Sequence, residues 1–588
     1  MTEAENTARS FTGSKLRSFY RDVRFRVKHP IAQAIKSLTP HLSYSYWIKH
    51  SEQRQSDPAR IAQAIAALRN TPKISIVMPV YDTPLDFLDL AIRSVQKQHY
   101  ENWELCIWDD ASPNPKIRAR LESWEKQDPR IKIGYSTKNE GISRASNHAL
   151  GLACGEFIGL LDHDDELSSD ALYEVVSLLQ QQPDADMIYS DEDKLDPKGR
   201  RVRPHFKPDW SPEHMLSMMY TCHFGVFRRR LLEEIGGFRV GFEGAQDYDL
   251  VLRLSEKTDK IYHIPKILYH WRMAPDSVAA SGAAKPYAYE AAKRGLTEHL
   301  IRQQIPGEIV DGEWRGYYRV LFNLDGADKV SIVIPYFGRP EVLRACVRTI
   351  EYKTSYRNYE VIVIDDRRLD ADTRKFLESR SCPIISVEGS SNLSRLINLG
   401  AAQAEGAYLL LLHGDTEVIS AEWITAMLGF CREQEVGAVG ARLLYRTGRI
   451  QHIGAVLGLK GAVGYPLRGR RAHPQDYLDP SRFIRNCSAV SGACMMVRKQ
   501  LFEELAGFDE KFPGAYNDID FCLRIRKAGY RIVWTPEAEL YKDEPLARNS
   551  VDGRQAKYFE QRWGAVLKHD PYYNPNLTLR YEDLGYRV

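Results

Sequence analysis

The chain has 588 residues, too many for one ordinary hydrophobic core, and this length predicts roughly two to four domains. Its 81 basic and 78 acidic residues nearly cancel, so net charge gives no reason to expect a nucleic-acid partner. The nine cysteines include no C-x-x-C pair, which disfavours a disulfide or zinc framework. No apolar run reaches roughly 18 residues and the amino terminus lacks an apolar signal core, so we expect a cytoplasmic protein.

Residues 1–70 are predicted to form a basic helical leader. Within it, the stretch 14–36 mixes aromatic and apolar residues with basic ones, among them Lys15, Arg17, Arg21, Arg24, Arg26 and Lys28. A basic amphipathic helix can lie on an anionic membrane surface, which favours peripheral contact with the inner face of the cell membrane. The alternative is a helix that packs on the first domain and leaves its basic face in water.

An internal repeat follows the leader. The stretch "ISIVMPVYDTP" from Ile74 matches "VSIVIPYFGRP" from Val330, and "GEFIGLLDHDDEL" matches "GAYLLLLHGDTEV". Further on, "FRRRLLEEIGGF" matches "VRKQLFEELAGF", and "AQDYDLVLRL" matches "YNDIDFCLRI". Blocks matched in the same order predict two copies of one domain, at 71–310 and 327–550, with 551–588 as a carboxy-terminal extension.

Each copy alternates short apolar runs with helix-length amphipathic stretches. In the first copy the runs are 74–80, 103–109, 131–135 and 157–161, separated by helical stretches at 84–98, 114–126 and 143–153. This order predicts an α/β domain with a mainly parallel, Rossmann-like sheet covered by helices on both faces. Such sheets bind ligands beyond the carboxyl ends of their strands.

A cluster of charged residues stands where one of these runs ends, in "GLLDHDDEL". Like charges are costly together unless they remain in water or bind a cation. Mg²⁺ and Mn²⁺ prefer carboxylate oxygens plus substrate phosphates, so Asp162 and Asp164 predict a divalent-metal site for a nucleotide diphosphate. A second carboxylate would then deprotonate an attacking hydroxyl, and Asp247 is the candidate. The alternative for Asp247 is a helix-initiating aspartate.

The motifs "PVYD", "WDDAS", "EGISRASNHAL", "GEFIGLLDHDDEL", "GGF" and "GAQDYDL" together resemble family 2 glycosyltransferases of the A-type fold. The resemblance implies inverting enzymes that use nucleotide-sugar donors. It places Tyr81 by the nucleobase pocket, Asp110 on the nucleobase, Asp162 and Asp164 on metal and diphosphate, and Asp247 as catalytic base. It also implies that Arg144 and Asn147 lie beside the donor, that His270 contacts the metal or diphosphate, and that Arg272 contacts the phosphates. The alternative for His270 is a hydrogen-bonded histidine of the core.

The second copy resembles the branch of this family found in enzymes that build rhamnose-containing bacterial polysaccharides. The resemblance makes Asp366 the nucleobase contact, Asp415 the metal and donor ligand, and Asp518 the base. Two positions depart from the pattern, because His413 replaces the first carboxylate and Lys542 stands where histidine is usual. The second site is therefore expected to use its metal weakly, to dispense with it, or to be inactive.

The resulting hypothesis is an inverting, metal-dependent glycosyltransferase that extends a bacterial surface polysaccharide such as an O-antigen or capsule, with one site per domain. Its donors would be UDP-, GDP- or dTDP-linked sugars, its acceptor a lipid-linked glycan and its cofactor Mg²⁺ or Mn²⁺. One alternative is a single-site enzyme whose second copy binds glycan or serves as a scaffold. A sugar-phosphate nucleotidyltransferase is disfavoured, because "PVYDTP" is not a glycine-rich, basic phosphate loop.

Overall fold

The computed structural model describes residues 43–52, 57–273, 286–336, 339–388, 392–471, 478–542 and 552–588. The amphipathic stretch predicted at 14–36 lies outside these residues. The described part of the leader contains helix α1 (Tyr44–Trp47), a π-helical turn (Ile48–Glu52) and helix α2 (Pro58–Ala66). Among the helices of the described ranges, none is both long enough and apolar enough to cross a bilayer.

The first half of the chain alternates strands with helices, as predicted. Its strands are β1 (Ile74–Val80), β2 (Trp103–Asp109), β3 (Ile131–Tyr135), β4 (Phe157–Leu160), β5 (Glu166–Leu167), β6 (Met187–Leu195), β7 (Arg201–His205), β8 (Gly225–Arg228), β9 (Ile261–Arg272), β10 (Gly307–Asp311) and β11 (Tyr318–Phe322). Its helices are α3 (Leu85–Gln96), α4 (Pro115–Gln127), α5 (Ile142–Leu152), α6 (Ala171–Gln181), α7 (Pro212–Met215), α8 (Arg229–Glu234), α9 (Gln246–Ser255) and α10 (Pro286–Arg302).

The second half repeats this pattern. Its strands are β12 (Val330–Tyr336), β13 (Tyr359–Asp365), β14 (Ile384–Ser386), β15 (Tyr408–Leu412), β16 (Thr416–Val418), β17 (Val436–Leu444), β18 (Ile450–His452), β19 (Val456–Leu457), β20 (Val463–Gly464), β21 (Arg485–Asn486), β22 (Cys494–Arg498) and β23 (Arg531–Lys542). Its α-helices are α11 (Pro340–Lys353), α12 (Ala371–Glu378), α13 (Leu393–Gln403), α14 (Trp423–Cys431), α15 (Lys499–Glu504), α16 (Asn517–Lys527) and α17 (Gly553–Trp563). Short 3-10 helices span Leu459–Gly461 and Val566–Lys568.

The two large sheets have the same strand order. The first runs β3-β2-β1-β4-β8-β6-β9-β5, and the second runs β14-β13-β12-β15-β22-β17-β23-β16. The prediction of two α/β domains is confirmed, although each sheet is more mixed than the sequence indicated. Strands β1 to β4 are parallel, whereas β8 runs antiparallel between β4 and β6. The apolar pattern of β8 shows that it is buried but carries no information on its direction, which the chain connections decide.

Strand β1 shows why these segments form the centre of the sheet. Its run of apolar residues is buried almost throughout, as expected for a parallel strand with helices on both faces. Its buried Ser75 hydroxyl donates to Glu104 Oε1 (2.6 Å) and accepts from the Gly155 amide (2.8 Å). The second copy repeats this arrangement with Ser331, so the buried polar group is part of the repeated architecture.

The two halves are packed together through a shared apolar core. Phe322 of the hairpin β10–β11 packs edge-on against Phe430 of α14, with ring centroids 4.8 Å apart. Glu213 on α7 forms a salt bridge with Arg531 at the start of β23 (2.9 Å). The hairpin and α7 therefore fix one sheet relative to the other.

The segment 570–588, called here the C-terminal clasp, contacts both halves. Its Asn574 amide donates to Asp191 Oδ2 (2.8 Å) and to the Lys207 carbonyl (2.9 Å) in the first half. Its Asp570 carboxylate accepts from the Leu457 amide (2.7 Å) and its Glu582 carboxylate from the Tyr465 amide (2.8 Å) in the second half. The clasp thus joins the two halves through buried hydrogen bonds.

Candidate functional site

A cavity of about 640 Å³ lies beyond the carboxyl ends of β1, β2 and β4. Four of the residues predicted from the sequence line it together, Tyr81, Asp110, Asp162 and Asp247. Each belongs to a different segment, and the parallel strands bring these segments to one edge of the sheet. The opposite wall is aromatic and comes from α10 and the hairpin, with Tyr287, Tyr289 and Tyr318.

Asp110 is held in a cradle of backbone amides. Its carboxylate accepts from the Glu140 amide (2.9 and 3.0 Å) and from the Gly141 amide (2.8 Å) at the start of α5. Gly141 has a φ of +89°, a conformation that L side chains rarely adopt. The side chain of Asp110 is therefore fixed at the cavity wall by the turn that begins α5.

The acidic loop 162–166 is organised by its most buried member. Asp165 is fully buried and accepts from the Tyr269 hydroxyl (2.6 Å) and from the Arg272 amide (2.7 Å). Burial, followed by the charges of Asp164 and Asp162, holds the pKa of Asp165 well above its ordinary value. Asp162 is half-exposed and lines the cavity. Asp165 thus anchors the loop, while Asp162 faces the cavity.

His223 also lines the cavity, and sequence reasoning missed it. Its ring stacks on Tyr269 with centroids 4.6 Å apart, its Nε2 lies 3.7 Å from Asp162 Oδ2, and its Nδ1 lies 3.3 Å from Glu192 Oε2. Burial would lower the pKa of His223, but Glu192, Asp162 and Asp165 together raise it to about 9. The repeat could not reveal this residue, because Ala493 occupies the matching place in the second copy.

Asp247 lies in the first turn of α9, where its Oδ1 accepts from the Tyr248 amide (2.8 Å). Burial raises the pKa of Asp247 even though the nearby charge of His223 opposes the shift. A carboxylate with a raised pKa is a better proton acceptor once it is ionised. Its location in the cavity wall makes Asp247 available to a bound hydroxyl group.

The residues present fit a divalent cation in their deprotonated forms, and binding would have to displace protons because the pKa values of Asp165 and His223 are raised. Ligand atoms of Asp162, Asp165 and His223 all lie within 4.8 Å of one another. Two carboxylates and one imidazole are donors that suit Mn²⁺, and the carboxylates also suit Mg²⁺. Asp164, which the sequence pairs with Asp162, is not a member of this group, and burial raises its pKa.

The structure places two predicted ligands away from the cavity. Successive residues of a strand face opposite sides of a sheet, and Trp271 of β9 lines the cavity, so His270 faces the other side. There its Nδ1 lies 2.6 Å from Asp193 Oδ1. The buried Arg272 binds the acidic loop instead, because its Nε donates to the Asp164 carbonyl (2.8 Å).

Arg144 and Asn147, the two donor contacts predicted on α5, are not among the residues that line the cavity. Arg144 lies on the exposed face of the helix, whereas Ile142 and Ala145 line the cavity. The Asn147 side chain donates to the Phe238 carbonyl (2.7 Å) and accepts from the Phe238 amide (2.9 Å). This paired contact recurs between Asn398 and Phe508 in the second copy, so it joins two segments of the fold.

Two of the three aspartates predicted in the second copy, Asp366 and Asp415, have different partners from their counterparts, whereas Asp518 repeats the contact of Asp247 with the amide of the next residue. Asp366 is buried and forms a salt bridge with Arg368 (2.9 Å). Asp415 accepts from the Lys542 ammonium with both oxygens (2.7 and 2.6 Å). Asp518 Oδ2 accepts from the Gly492 amide (2.9 Å) in the first turn of α16.

Curated relatives cover most of this chain. It is 41% identical over 554 residues to the protein y4gI of Sinorhizobium fredii and 36% identical over 545 residues to the O-antigen biosynthesis protein RfbC of Myxococcus xanthus. Each alignment covers 90% of this chain, which spans 60% and 42% of those proteins. A shorter match, 32% identical over 206 residues, is to the chondroitin synthase of Escherichia coli and covers 35% of this chain and 29% of that one.

Among solved structures, the chain is similar to TarS 1-349 of S. aureus, solved in complex with UDP. That match is 20% identical, has a TM-score of 0.32, and covers 39% of this chain and 65% of that one. The model of the family "Glycosyl transferase family 2" matches residues 75–236 and again residues 331–506. A related model, "Glycosyl transferase family group 2", matches residues 470–567. The two family 2 matches together cover more than half of the chain, which therefore belongs to glycosyl transferase family 2.

Proposed function

We propose that the protein is an inverting glycosyltransferase that moves sugars from nucleotide-sugar donors to a growing bacterial surface polysaccharide. The observation that carries this proposal is the single cavity that contains Asp110, Asp162, His223 and Asp247. Such a transfer needs a carboxylate that binds the nucleobase, a cation site, and a carboxylate base, the last being the partly buried Asp247 with its raised pKa. Two features favour one site in each half, the recurrence of the sheet and the presence of Asp366, Asp415 and Asp518.

In the proposed reaction each residue of the first site has one task. Asp110, fixed by backbone amides, accepts a hydrogen bond from the nucleobase, and Tyr81 covers the base. Asp162, Asp165 and His223 would hold Mg²⁺ or Mn²⁺ after Asp165 and His223 release their protons. When bound, the cation neutralises the charge that develops on the departing diphosphate. Asp247 removes the proton from the acceptor hydroxyl as that hydroxyl attacks the sugar.

The substrates follow from the chemistry of the cavity and from the family. The donor is a UDP-, GDP- or dTDP-linked sugar, whose phosphates need a cation beside Asp162. The acceptor is a glycan, and the aromatic wall of Tyr287, Tyr289 and Tyr318 offers it apolar faces. The names of the O-antigen biosynthesis and chondroitin synthase relatives favour a polysaccharide product.

We also propose that the acceptor is lipid-linked and that the basic leader brings the protein to the inner face of the cell membrane. This contact rests on the basic residues of 14–36, whose attraction to anionic lipid weakens with salt. Co-sedimentation with anionic vesicles, with and without residues 1–60, tests it. Unchanged sedimentation after the deletion would count against membrane contact through the leader.

The proposed activity is tested by a screen of UDP-, GDP- and dTDP-sugars for hydrolysis and for transfer to short glycans. We expect Asp247→Asn to reduce transfer at the first site by about 10²–10⁴-fold, because the amide cannot act as a base. Donor binding should remain, since Asp247 is outside the cation group. Asp518→Asn is the matched control, because it removes the corresponding carboxylate of the other copy. Transfer at the wild-type rate by Asp247→Asn would remove this residue from the mechanism.

A single-site enzyme is the second candidate, in which the second copy binds glycan or holds the first copy in place. The observation that favours it is the pair of Lys542 with Asp415 at the position predicted for a metal ligand. The screen separates the two candidates, because a single-site enzyme would give the wild-type product at the wild-type rate with Asp518→Asn.

A further inference from the structure

None of the three residues of the first copy's candidate cation group recurs at the matching position of the second copy. Matching blocks of sequence put His413 at the position of Asp162 and Thr416 at the position of Asp165. Strand pairing puts Ala493 at the position of His223, because Tyr408 pairs with Arg498 as Phe157 pairs with Arg228. Among the described residues, the groups of at least three possible metal ligands all belong to the first half of the chain.

A lysine side chain binds Asp415, the residue predicted as the metal ligand of the second copy. Lys542 is the last residue of β23, is almost fully buried, and forms hydrogen bonds with both oxygens of Asp415 (2.7 and 2.6 Å). Burial would raise the pKa of Asp415, but the Lys542 ammonium outweighs it and lowers the pKa. A carboxylate bound by both oxygens to a buried ammonium has little to offer a metal ion.

Strand register shows that this lysine faces the site. Lys542 pairs with Thr416, whereas in the first copy Glu166 pairs with His270, so the next pair in that ladder matches Asp165 with Trp271. Lys542 therefore corresponds to Trp271, which lines the cavity, and not to His270, which faces away from it. The sequence alignment of "LYHWR" with "LYKDE" is displaced by one residue from the structural one.

We propose that the second copy has no divalent-cation site and that the Lys542 ammonium is its built-in cation. The inference rests on the proposed function only in assuming that the first site binds the metal. A phosphate-bearing ligand that approaches Asp415 meets a neutral ion pair there, so its binding needs no added metal to offset the carboxylate charge. The protein would then bind one divalent cation per chain, although it has two copies of the domain.

The experiment measures Mn²⁺ bound to the chelator-treated full-length chain by electron paramagnetic resonance. We expect Asp162→Asn to abolish Mn²⁺ binding and Asp415→Asn, which removes the carboxylate bound by Lys542 in the second copy, to leave it unchanged. Mn²⁺ that persists in Asp162→Asn and is lost when Asp415→Asn is added would overturn the proposal. A wild-type chain that binds no Mn²⁺ would contradict the metal in the proposed function but would agree with a cation-free second site.

A second variant tests whether the lysine is what excludes the ion. Lys542→Met in the Asp162→Asn background leaves the Asp415 carboxylate without its ammonium. We expect Mn²⁺ to raise the melting temperature of this double variant and to leave that of Asp162→Asn unchanged, because an ion that binds only the folded chain stabilises it. A double variant that folds and does not respond to Mn²⁺ would also refute the role given to Lys542.

Discussion

His223 lies between two carboxylates that have different surroundings. On one side Glu192 is buried and bound by the fully buried Lys207 ammonium (3.1 Å), and on the other Asp162 is open to the cavity. Burial would raise the pKa of Glu192, but Lys207 and His223 hold it far below its usual range. The His223 ring thus contacts the buried Glu192 on one side and lines the cavity on the other.

This arrangement predicts that His223 and not His270 supports metal binding. We expect His223→Gln to weaken Mn²⁺ affinity by at least about tenfold, because an amide is a poorer ligand than imidazole and the contact with Glu192 is altered. His270→Gln should leave the affinity unchanged, since His270 faces Asp193 on the other side of β9. Isothermal titration with Mn²⁺ compares the two variants, and the opposite ranking would restore the histidine that the sequence favoured.

At the level of residues, the sequence is informative where the repeat and the strand ends coincide. Asp110, Asp162 and Asp247 were predicted because each follows a predicted strand or begins a predicted helix near the ligand edge, and the structure brings them to one cavity. His223 was missed because its place in the second copy is held by Ala493. Arg272 was assigned to phosphate from the family resemblance, and the sequence does not show that its side chain donates to the Asp164 carbonyl.

At the level of elements, β1 and β2 are joined by a buried ionic group. Glu104 on β2 accepts from the Ser75 hydroxyl and the Cys154 amide (both 2.6 Å) and forms a salt bridge with Lys132 (2.8 Å). Burial alone would raise the pKa of Glu104, yet Lys132 and Ser75 lower it to about 2. The ionised carboxylate therefore stabilises the contact between the first strands of the sheet.

The depressed pKa predicts how the stability of a Glu104→Gln variant depends on pH. The wild-type carboxylate stabilises the folded chain above its unfolded pKa, and this contribution is lost as pH falls from about 4.5 through about 2. We expect Glu104→Gln to lower the free energy of unfolding at pH 7 by about 1–3 kcal/mol, with the deficit shrinking as the pH falls below 4.5. Urea unfolding at pH 7 and pH 3.5 measures this.

The control for that experiment is Glu122→Gln. Glu122 forms an exposed i,i+4 pair with Arg118 on α4, and such surface pairs contribute little. Its urea midpoint should stay close to the wild-type value at both pH values. A Glu104→Gln deficit that is the same at pH 7 and pH 3.5 would contradict the depressed pKa.

The elements themselves were predictable to different degrees. The runs at 74–80, 103–109 and 131–135 correspond to β1, β2 and β3, because apolar runs between amphipathic helices have few other uses in an α/β chain. Strand direction and register were not predictable in β8 and β9. The hydrophobic pattern does not encode strand direction. The sequence blocks align Lys542 with His270, but the strand register aligns it with Trp271, and this displacement of one residue reverses which side chain faces the site.

At the level of the whole molecule, the two sheets have the same strand order, and each copy could catalyse its own transfer step. If each has its own site, Asp247 and Asp518 act in different steps. We expect Asp518→Asn to stop growth after one sugar and Asp247→Asn to stop it before that sugar, when the first half acts first. Mass spectrometry of products on a short acceptor distinguishes them. An unchanged product at an unchanged rate from Asp518→Asn would make the second copy a scaffold.

The C-terminal clasp has a consequence for the order in which the chain folds. Synthesis on the ribosome is vectorial, so residues 570–588 are made after both sheets. Only then can the Asn574 amide donate its hydrogen bonds to Asp191 and to the Lys207 carbonyl, which are buried in the folded protein. The first half, although synthesised early, is completed late, and a fragment that ends before the clasp would have water in place of Asn574.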